Sequence, residues 1–283
     1  MKARVPASTS NLGPGYDVLG LALRRYLEVE VTPAERLVIS AEGEGADLPQ
    51  DGSHLAAEIV RSVLGHDHVA IAVSSTIPVG RGLGSSASLA VAAAAAAGAS
   101  SPFGVASAVD GHAENAAASA FGGLVAATVI DGTPIARRLP LDPGLGYVVL
   151  VPDRHLPTKL ARSLLPTVIP LGDAVHNLGR MGLLVAGLAD RRLLTPAAGE
   201  DRLHQGPRTA LFPEAPELLD ALHRGGATIA CWSGAGPTLL AICAEASAVA
   251  GVEAAAWHAM SQLGVEGDVT AIEPDLEGLV VSA

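Results

Sequence analysis

Apolar residues follow two periods in the first part of the chain. Residues 27–31 alternate apolar and polar side chains and residues 69–73 are mostly β-branched, which predicts two strands. Between them, apolar residues recur at helical spacing at Leu55, Ile59 and Val63. Residues 83–97 are almost purely helix-forming, with alanine dominating. The pattern predicts strand, helix, strand and a second, alanine-rich helix.

The remaining pattern mixes helices and strands irregularly. We expect strands at 123–130, 146–151, 228–232 and 239–243, helices at 171–188, 216–223 and 247–263, and a final strand pair near 268–282. Regular alternation of strand and helix is missing, which favours an α+β fold over a doubly wound one. Past residue 152 the predicted elements become mainly helical. This change suggests an N-terminal domain at 1–150 and a C-terminal domain at 151–283.

Composition narrows the class of protein. Hydrophobic residues make up 49% of the 283 residues but aromatic residues only 3%, so we expect a core of small side chains. A net charge of −11 argues against nucleic-acid partners. Neither a basic amphipathic segment nor a stretch near the ~20 residues that span a bilayer is seen, so a membrane role is not expected. The N-terminus lacks a signal-peptide core, and the predicted location is the cytoplasm.

A glycine-rich segment between a predicted strand and a predicted helix carries the strongest chemical signal. Its residues are Pro78, Val79, Gly80, Arg81, Gly82, Leu83, Gly84, Ser85, Ser86, Ala87 and Ser88. Alternate glycines allow positive φ, and the N–H groups of the following helix attract an anion. The spacing fits neither a Walker A loop nor a dinucleotide fingerprint. We predict a phosphate-binding loop; the simpler alternative is a serine-capped glycine turn.

This loop closely resembles the ATP loop of the GHMP kinases, named for galactose, homoserine, mevalonate and phosphomevalonate. Two further segments match that family. Residues 4–23 form a polar loop after a first strand, where Asn11 can donate and accept hydrogen bonds and Asp17 can hold an ammonium group. Residues 232–238 resemble the family's second glycine loop, with Gly234 and Gly236 on the substrate side. The resemblance implies a two-domain fold with a mixed α/β N-terminal domain and a ferredoxin-like C-terminal domain.

Within the family, the segments around two arginines resemble the homoserine-kinase branch. Thr158 and Arg162 stand four residues apart, which places both on one helix face. Arg208 ends a second such segment, although Gly206 stands where the family usually has proline. Two guanidinium groups suit a carboxylate, which they can bind bidentately. The alternative is that both arginines are solvated surface residues.

Residues 110–115 resemble the family motif at the transferred phosphate. The resemblance implies that Asn115 holds the acceptor hydroxyl without taking its proton, and that Asp110 with Ser86 binds Mg²⁺. Asp110 and Glu114 each differ from the usual residue by one methylene, and the rival interpretation gives the metal to Glu114. His54 stands where the family usually has Asn near adenine.

Together these segments predict ATP- and Mg²⁺-dependent phosphorylation of the side-chain hydroxyl of L-homoserine, in threonine biosynthesis. Asn115, Thr158 and Ser86 are the expected catalytic residues. The resemblance also implies a homodimer. Two alternatives stay open: a GHMP kinase for another small alcohol, and a non-catalytic nucleotide- or metabolite-binding regulator. ATP consumption with and without homoserine separates them.

Overall fold

The computed structural model describes residues 1–282, with only the backbone at Asp110. The strands are β1 (Lys2–Asn11), β2 (Gly15–Pro33), β3 (Val38–Gly43), β4 (Val69–Ser75), β5 (Leu124–Ile130), β6 (Thr133–Leu139), β7 (Gly146–Pro152), β8 (Ile229–Trp232), β9 (Leu239–Cys243), β10 (Gly267–Ala271) and β11 (Val280–Ser282). The α-helices are α1 (Leu55–Leu64), α2 (Ser85–Ala96), α3 (Pro102–Asp110), α4 (Ala113–Phe121), α5 (Thr158–Ser163), α6 (Leu171–Ala189), α7 (Gln205–Arg208), α8 (Ala215–Arg224) and α9 (Val249–Leu263). Among residues 1–282, no helix has the length and apolar character needed to cross a membrane.

The larger sheet has the strand order β11-β1-β2-β4-β3, and β5 and β6 extend it from the other part of β2. β2 is 19 residues long and pairs with three strands, of which β1 runs along most of its length. Its beginning pairs with β5, with Gly20 opposite Val125, and its end pairs with β4, with Leu27 opposite Ser75. β3 and β4 are parallel, whereas the other paired strands of this sheet are antiparallel.

The smaller sheet is antiparallel, with the order β10-β7-β9-β8. Helices α8 and α9 pack against this sheet and against each other. Their shared core includes Phe212, Leu218, Trp232 and Met260. Two sheets with interspersed helices confirm the predicted α+β class.

Helix α2 runs through the middle of the N-terminal part. Its residues from Ala87 to Ala96 are all buried, and it packs on β1 and β2 and beside α1, α3 and α4. A helix that is apolar all round is a buried helix, and alanine lets the neighbouring backbones approach closely. The predicted core of small side chains is therefore present, and α2 fixes where the glycine-rich loop begins.

Two expectations about strands were wrong. The opening polar segment is not a loop but most of β1, because Ser8 and Ser10 pair in the ladder with Ala22 and Gly20 of β2. The last two strands do not pair with each other, since β10 joins β7 in one sheet and β11 joins β1 in the other. The segment between β10 and β11 leads from the smaller sheet to the larger one, and its Pro274 forms an isolated bridge with Leu23 of β2.

Candidate active site

The glycine-rich segment folds as a loop that ends at the first turn of α2. Gly80, Gly82 and Gly84 have φ values of 66°, 83° and 69°, in the left-handed region that favours glycine. Gly84 is the N-cap residue of α2, and this cap makes no side-chain hydrogen bond to the helix. The unpaired N–H groups of that first turn and the helix dipole together favour an anion at this point.

Two of these glycines are also required by close packing. A Cβ on Gly82 would collide with the carbonyl oxygen of Ser233, and one on Gly84 would collide with the hydroxyl of Ser8. Ser233 Oγ donates a 2.6 Å hydrogen bond to the carbonyl of Gly82, so the second glycine loop is fastened to the first. Both loops therefore border one space.

That space is a cavity of about 90 Å³ that joins the glycine-rich loop to polar side chains from five other segments. Its lining consists of Ser10, Asn11, Asp17, Gly80, Gly82, Gly84, Ser85, Ser86, Ala87, His112, Glu114, Asn115, Leu156, Thr158, Arg162, Arg208, Gly234 and Ala235. The cavity thus has an anion-binding end at α2 and a second end that carries both predicted arginines.

Asn115 lies between these two ends and is held by three neighbours. Its Oδ1 accepts from Ser8 Oγ at 2.9 Å, and its Nδ2 donates to Ser10 Oγ at 2.9 Å and to Glu114 Oε1 at 3.2 Å. Because a carboxylate only accepts, Glu114 fixes which side of the amide is the nitrogen. Ser8 and Ser10 were not singled out from the sequence as site residues.

Arg162 pairs with acidic and imidazole groups across the cavity. Its Nη2 donates to Asp17 Oδ1 at 2.6 Å and lies 2.8 Å from Nδ1 of His112. Thr158 lies one turn earlier on α5, so the predicted spacing does place both side chains at the cavity. Asn11 Oδ1 accepts from the backbone N–H of Asp17 at 3.0 Å, which orders the segment between them.

Arg208 is the most deeply buried charge at the site, with 1% of its surface exposed. Its Nη1 donates to the carbonyl of Gly234 at 2.7 Å, and the same carbonyl accepts from Asn11 Nδ2 at 2.7 Å. Burial lowers the pKa of Arg208 from its usual value, and the tyrosine and aspartate nearby oppose that shift. The cation is thus held in place at some cost in hydration, which is typical of a binding group.

Tyr16 joins the two arginines and was missed by the sequence reasoning. The guanidinium carbons of Arg162 and Arg208 lie 5.7 Å and 5.6 Å from the centre of its ring. Burial raises the pKa of its hydroxyl, and the charge of Asp17 adds to the shift. Tyr16 directly precedes Asp17 in the opening segment, but nothing in that segment indicated that Arg162 and Arg208 would lie over its ring.

A second, mainly apolar cavity of about 210 Å³ adjoins the first across Ser85 and Ser86. Leu48, Leu55, Val79 and Leu89 contribute apolar wall, and His54 is its buried imidazole. His54 Nδ1 accepts the N–H of Ala56 at 3.2 Å and so caps helix α1. Burial lowers the pKa of His54, so the ring is neutral at pH 7.

The structure brings most of the predicted residues to these two cavities, but not all. Pro78, Arg81, Leu83, Ser88 and Gly236 line neither. Ser88 donates to the carbonyl of Pro6, and Arg81 pairs with Asp153. Gly236 lies against the ring of Trp232. The side chain of Asp110 lies outside the described residues.

Oxygen ligands for a divalent cation are present at the cavity. Among the described residues, ligand atoms of Asp17, His112 and Glu114 lie within 4.8 Å of one another. Arg162 already contacts Asp17 and His112, so a cation there would meet a competing guanidinium. Glu114 is 3% exposed, and Ser86 is exposed in the first turn of α2, at the same cavity. A carboxylate and a hydroxyl are ligands that Mg²⁺ accepts, so the residues fit that ion.

The fold and cavity together define an α+β protein whose polar cavity of about 90 Å³ has the anion-favouring N-terminus of α2 at one end. Residues 52–123 match the model of the GHMP kinases N terminal domain, and residues 176–260 match that of the GHMP kinases C terminal domain. The chain is 37% identical to a homoserine kinase of Moorella thermoacetica over 98% of each chain. It is 40% identical to one of Thermus thermophilus, over 93% of this chain and 92% of the relative. The crystal structure of a homoserine kinase from Cytophaga hutchinsonii superposes with a TM-score of 0.87 at 26% identity, covering 99% and 96% of the two chains.

The chain belongs to the GHMP kinase family. The family expected from the glycine-rich loop is therefore confirmed, and so is the fold. Membership makes the protein an ATP-dependent kinase, in agreement with the anion site at the start of α2.

Proposed function

We propose that this kinase transfers the γ-phosphoryl group of ATP to the side-chain hydroxyl of L-homoserine, as a step in threonine biosynthesis. The carrying observation is one cavity in which the phosphate loop faces two arginines and an aspartate. The relatives named homoserine kinase, which match nearly the full length, support the same acceptor.

The acceptor end suits a zwitterion. Arg162 and Arg208 would bind the carboxylate, while Asp17, oriented through Asn11, would bind the ammonium group. The ion pair of 2.6 Å between Arg162 and Asp17 supports this assignment, because an amino acid supplies the opposite charge to each partner. Thr158 lies beside Arg162 and would help to hold the same end.

The acceptor hydroxyl would meet the amide of Asn115, which Ser8, Ser10 and Glu114 hold in one orientation. An amide does not take a proton at neutral pH, so it orients the hydroxyl but is not a general base. The acceptor oxygen forms its bond to the γ-phosphorus as the bond to the β–γ bridging oxygen breaks and ADP leaves. The hydroxyl proton passes to a phosphate oxygen. The chain contributes positioning and charge stabilisation, which is the main requirement of phosphoryl transfer.

The donor end follows from the two adjoining cavities. The loop from Gly80 to Ser86 and the first turn of α2 would hold the phosphates, and the apolar cavity beside His54 would hold the adenine. Mg²⁺, when bound, neutralises the phosphate charge that develops during transfer. Ser86 with Asp110 remains our first choice of protein ligands, and Glu114 is the rival carboxylate.

We also propose the division of the chain near residue 150, a cytoplasmic location and a homodimer. The division is supported by the two sheets, because β1 to β6 share one sheet and β7 to β10 form the other. β7 begins at Gly146, just before the proposed boundary, and β11 returns to the first sheet. Light scattering of the purified protein tests the dimer, for which the expected mass is twice 28.4 kDa.

ADP release measured with and without L-homoserine tests the proposed function. We expect release that depends on homoserine and on Mg²⁺. Release that depends instead on another small alcohol would identify a different kinase of the family. No release with any acceptor, together with ATP binding, would identify a non-catalytic nucleotide-binding protein.

A further inference from the structure

In the described part of the chain, Arg208 is hydrogen-bonded through a single nitrogen. Its Nη1 donates to the carbonyl of Gly234 at 2.7 Å and to Nδ1 of His204 at 2.9 Å. Its Nε is buried and has no hydrogen-bond partner among the described residues. Since Nη1 is occupied by these two acceptors and Nε is enclosed, Nη2 is the guanidinium nitrogen that remains for a carboxylate. Arg208 lines the cavity, so the anchors on Nη1 decide how Nη2 is presented there.

The contacts of His204 fix its tautomer. A guanidinium nitrogen only donates, so Nδ1 of His204 must accept from Arg208 Nη1. The proton is therefore on Nε2, which donates to the carbonyl of Gly13 at 2.7 Å. The ring is fully buried, and both of its nitrogens are used. Protonation at Nδ1 would break the contact with Arg208 and place two cations 2.9 Å apart.

The imidazole is itself held firmly. Asp201 accepts from the backbone N–H groups of His204 and Gln205 at 2.9 Å and 2.8 Å, and from Asn177 Nδ2 at 2.7 Å. The ring stacks on Tyr16, with centroids 5.1 Å apart. His204 thus transmits a fixed backbone position to the guanidinium of Arg208.

We propose that His204, as the neutral Nε2–H tautomer, is a positioning residue that sets the orientation of Arg208 and thereby the enzyme's discrimination for an acceptor with a carboxylate. His204 does not line the cavity and would not touch the acceptor. The inference rests on the proposed function, since it names the residue behind one of the groups that bind the carboxylate.

Two amide substitutions separate the two ring contacts. His204→Asn keeps an acceptor near the position of Nδ1, whereas His204→Gln keeps a donor near that of Nε2. We expect His204→Gln to raise the KM for L-homoserine by about tenfold or more, since a hydrogen bond to a charged group is lost. His204→Asn should stay within a few-fold of the wild type. The KM for ATP and the kcat at saturating homoserine should change little in both.

The decisive measurement is the discrimination between homoserine and its carboxamide, in which a neutral amide replaces the carboxylate. The wild-type ratio of kcat/KM for the two acceptors should fall about tenfold or more in His204→Gln and recover in His204→Asn. His223→Gln is the control, because the His223 ring hydrogen-bonds the carbonyl of Ala227 and is not among the residues that line the cavity. Thermal unfolding of each variant confirms that it is folded.

A folded His204→Gln with the wild-type discrimination ratio would overturn the inference alone. A loss of ratio that is equal in both amide variants would also overturn it, because the contact with Arg208 would then not be the cause. A wild-type enzyme with no activity on homoserine would overturn the proposed function, and this inference with it.

Discussion

Neutral His204 makes the stability of the protein depend on pH in a defined direction. Burial lowers the pKa of His204 from 6.5 to about 4, with the cation of Arg208 adding to the shift and Asp201 and Asp17 opposing it. The folded state therefore binds fewer protons than the unfolded state between these values. The stabilisation is complete above pH 6.5 and is lost as the pH falls towards 4.

The size of the effect follows from the shift. A difference of one pKa unit is worth about 1.4 kcal/mol, so the full loss is about 3 kcal/mol at pH 4 and about 2 kcal/mol at pH 5. The pKa of Asp201 is also held below its usual value. Burial acts against its charge, but the charge of His204 and the hydrogen bonds from Gln205, Asn177 and the backbone N–H of His204 together outweigh that effect.

Urea unfolding at pH 5 and pH 7 measures the effect directly. From pH 7 to pH 5 the wild type should lose about 2 kcal/mol more than His204→Gln, whose amide does not titrate in this range. The control His223→Gln should lose as much as the wild type. Equal losses in the wild type and His204→Gln would show that His204 is not held neutral, and the tautomer argument would fail.

Three further predictions concern the cavity. Arg162→Ala should raise the KM for homoserine roughly ten- to a hundredfold and leave the KM for ATP nearly unchanged, as steady-state kinetics with each substrate varied would show; equal changes in both would assign Arg162 to another task. Gly84→Ala should reduce kcat/KM for ATP by at least about a hundredfold, because Gly84 has a φ of +69° and a Cβ there would collide with Ser8. The control Gly65→Ala has a similar φ of +77° but no neighbour within 4 Å, and it should leave kcat/KM for ATP unchanged. Asp110→Asn should lower kcat by orders of magnitude and Asp110→Glu should retain substantial activity; an unchanged magnesium profile in Asp110→Asn, with a changed one in Glu114→Gln, would move the metal to Glu114.

The parts of the site that sequence could predict are those whose geometry is local. The positive-φ glycines, the helix N-terminus and the serines of the glycine-rich loop all lie within eleven consecutive residues. The local sequence pattern therefore contained every part of the predicted phosphate site. Thr158 and Arg162 were likewise placed by helical spacing within α5. The alanine-rich helix α2 was predictable because its composition leaves no polar face.

The remaining parts depend on contacts between distant segments. Ser8 and Ser10 both hydrogen-bond the side-chain amide of Asn115, which lies more than 100 residues away in the sequence. Nothing near the two serines therefore indicated that they share this partner. No role for His204 was predicted, because its contacts with Gly13 and with the stacked ring of Tyr16 join segments that are distant in the sequence. The separate sheets of β10 and β11 similarly follow from their partners, β7 and β1, at the other end of the sequence.

The central claim is that the cavity joins an ATP phosphate site to a site for a small zwitterionic alcohol. Phosphorus NMR of a reaction with Mg²⁺, ATP and L-homoserine tests it most directly, because it identifies the product and not only the loss of ATP. We predict equal amounts of ADP and O-phospho-L-homoserine. Phosphorylation of mevalonate or a sugar under the same conditions, with none of homoserine, would contradict the account.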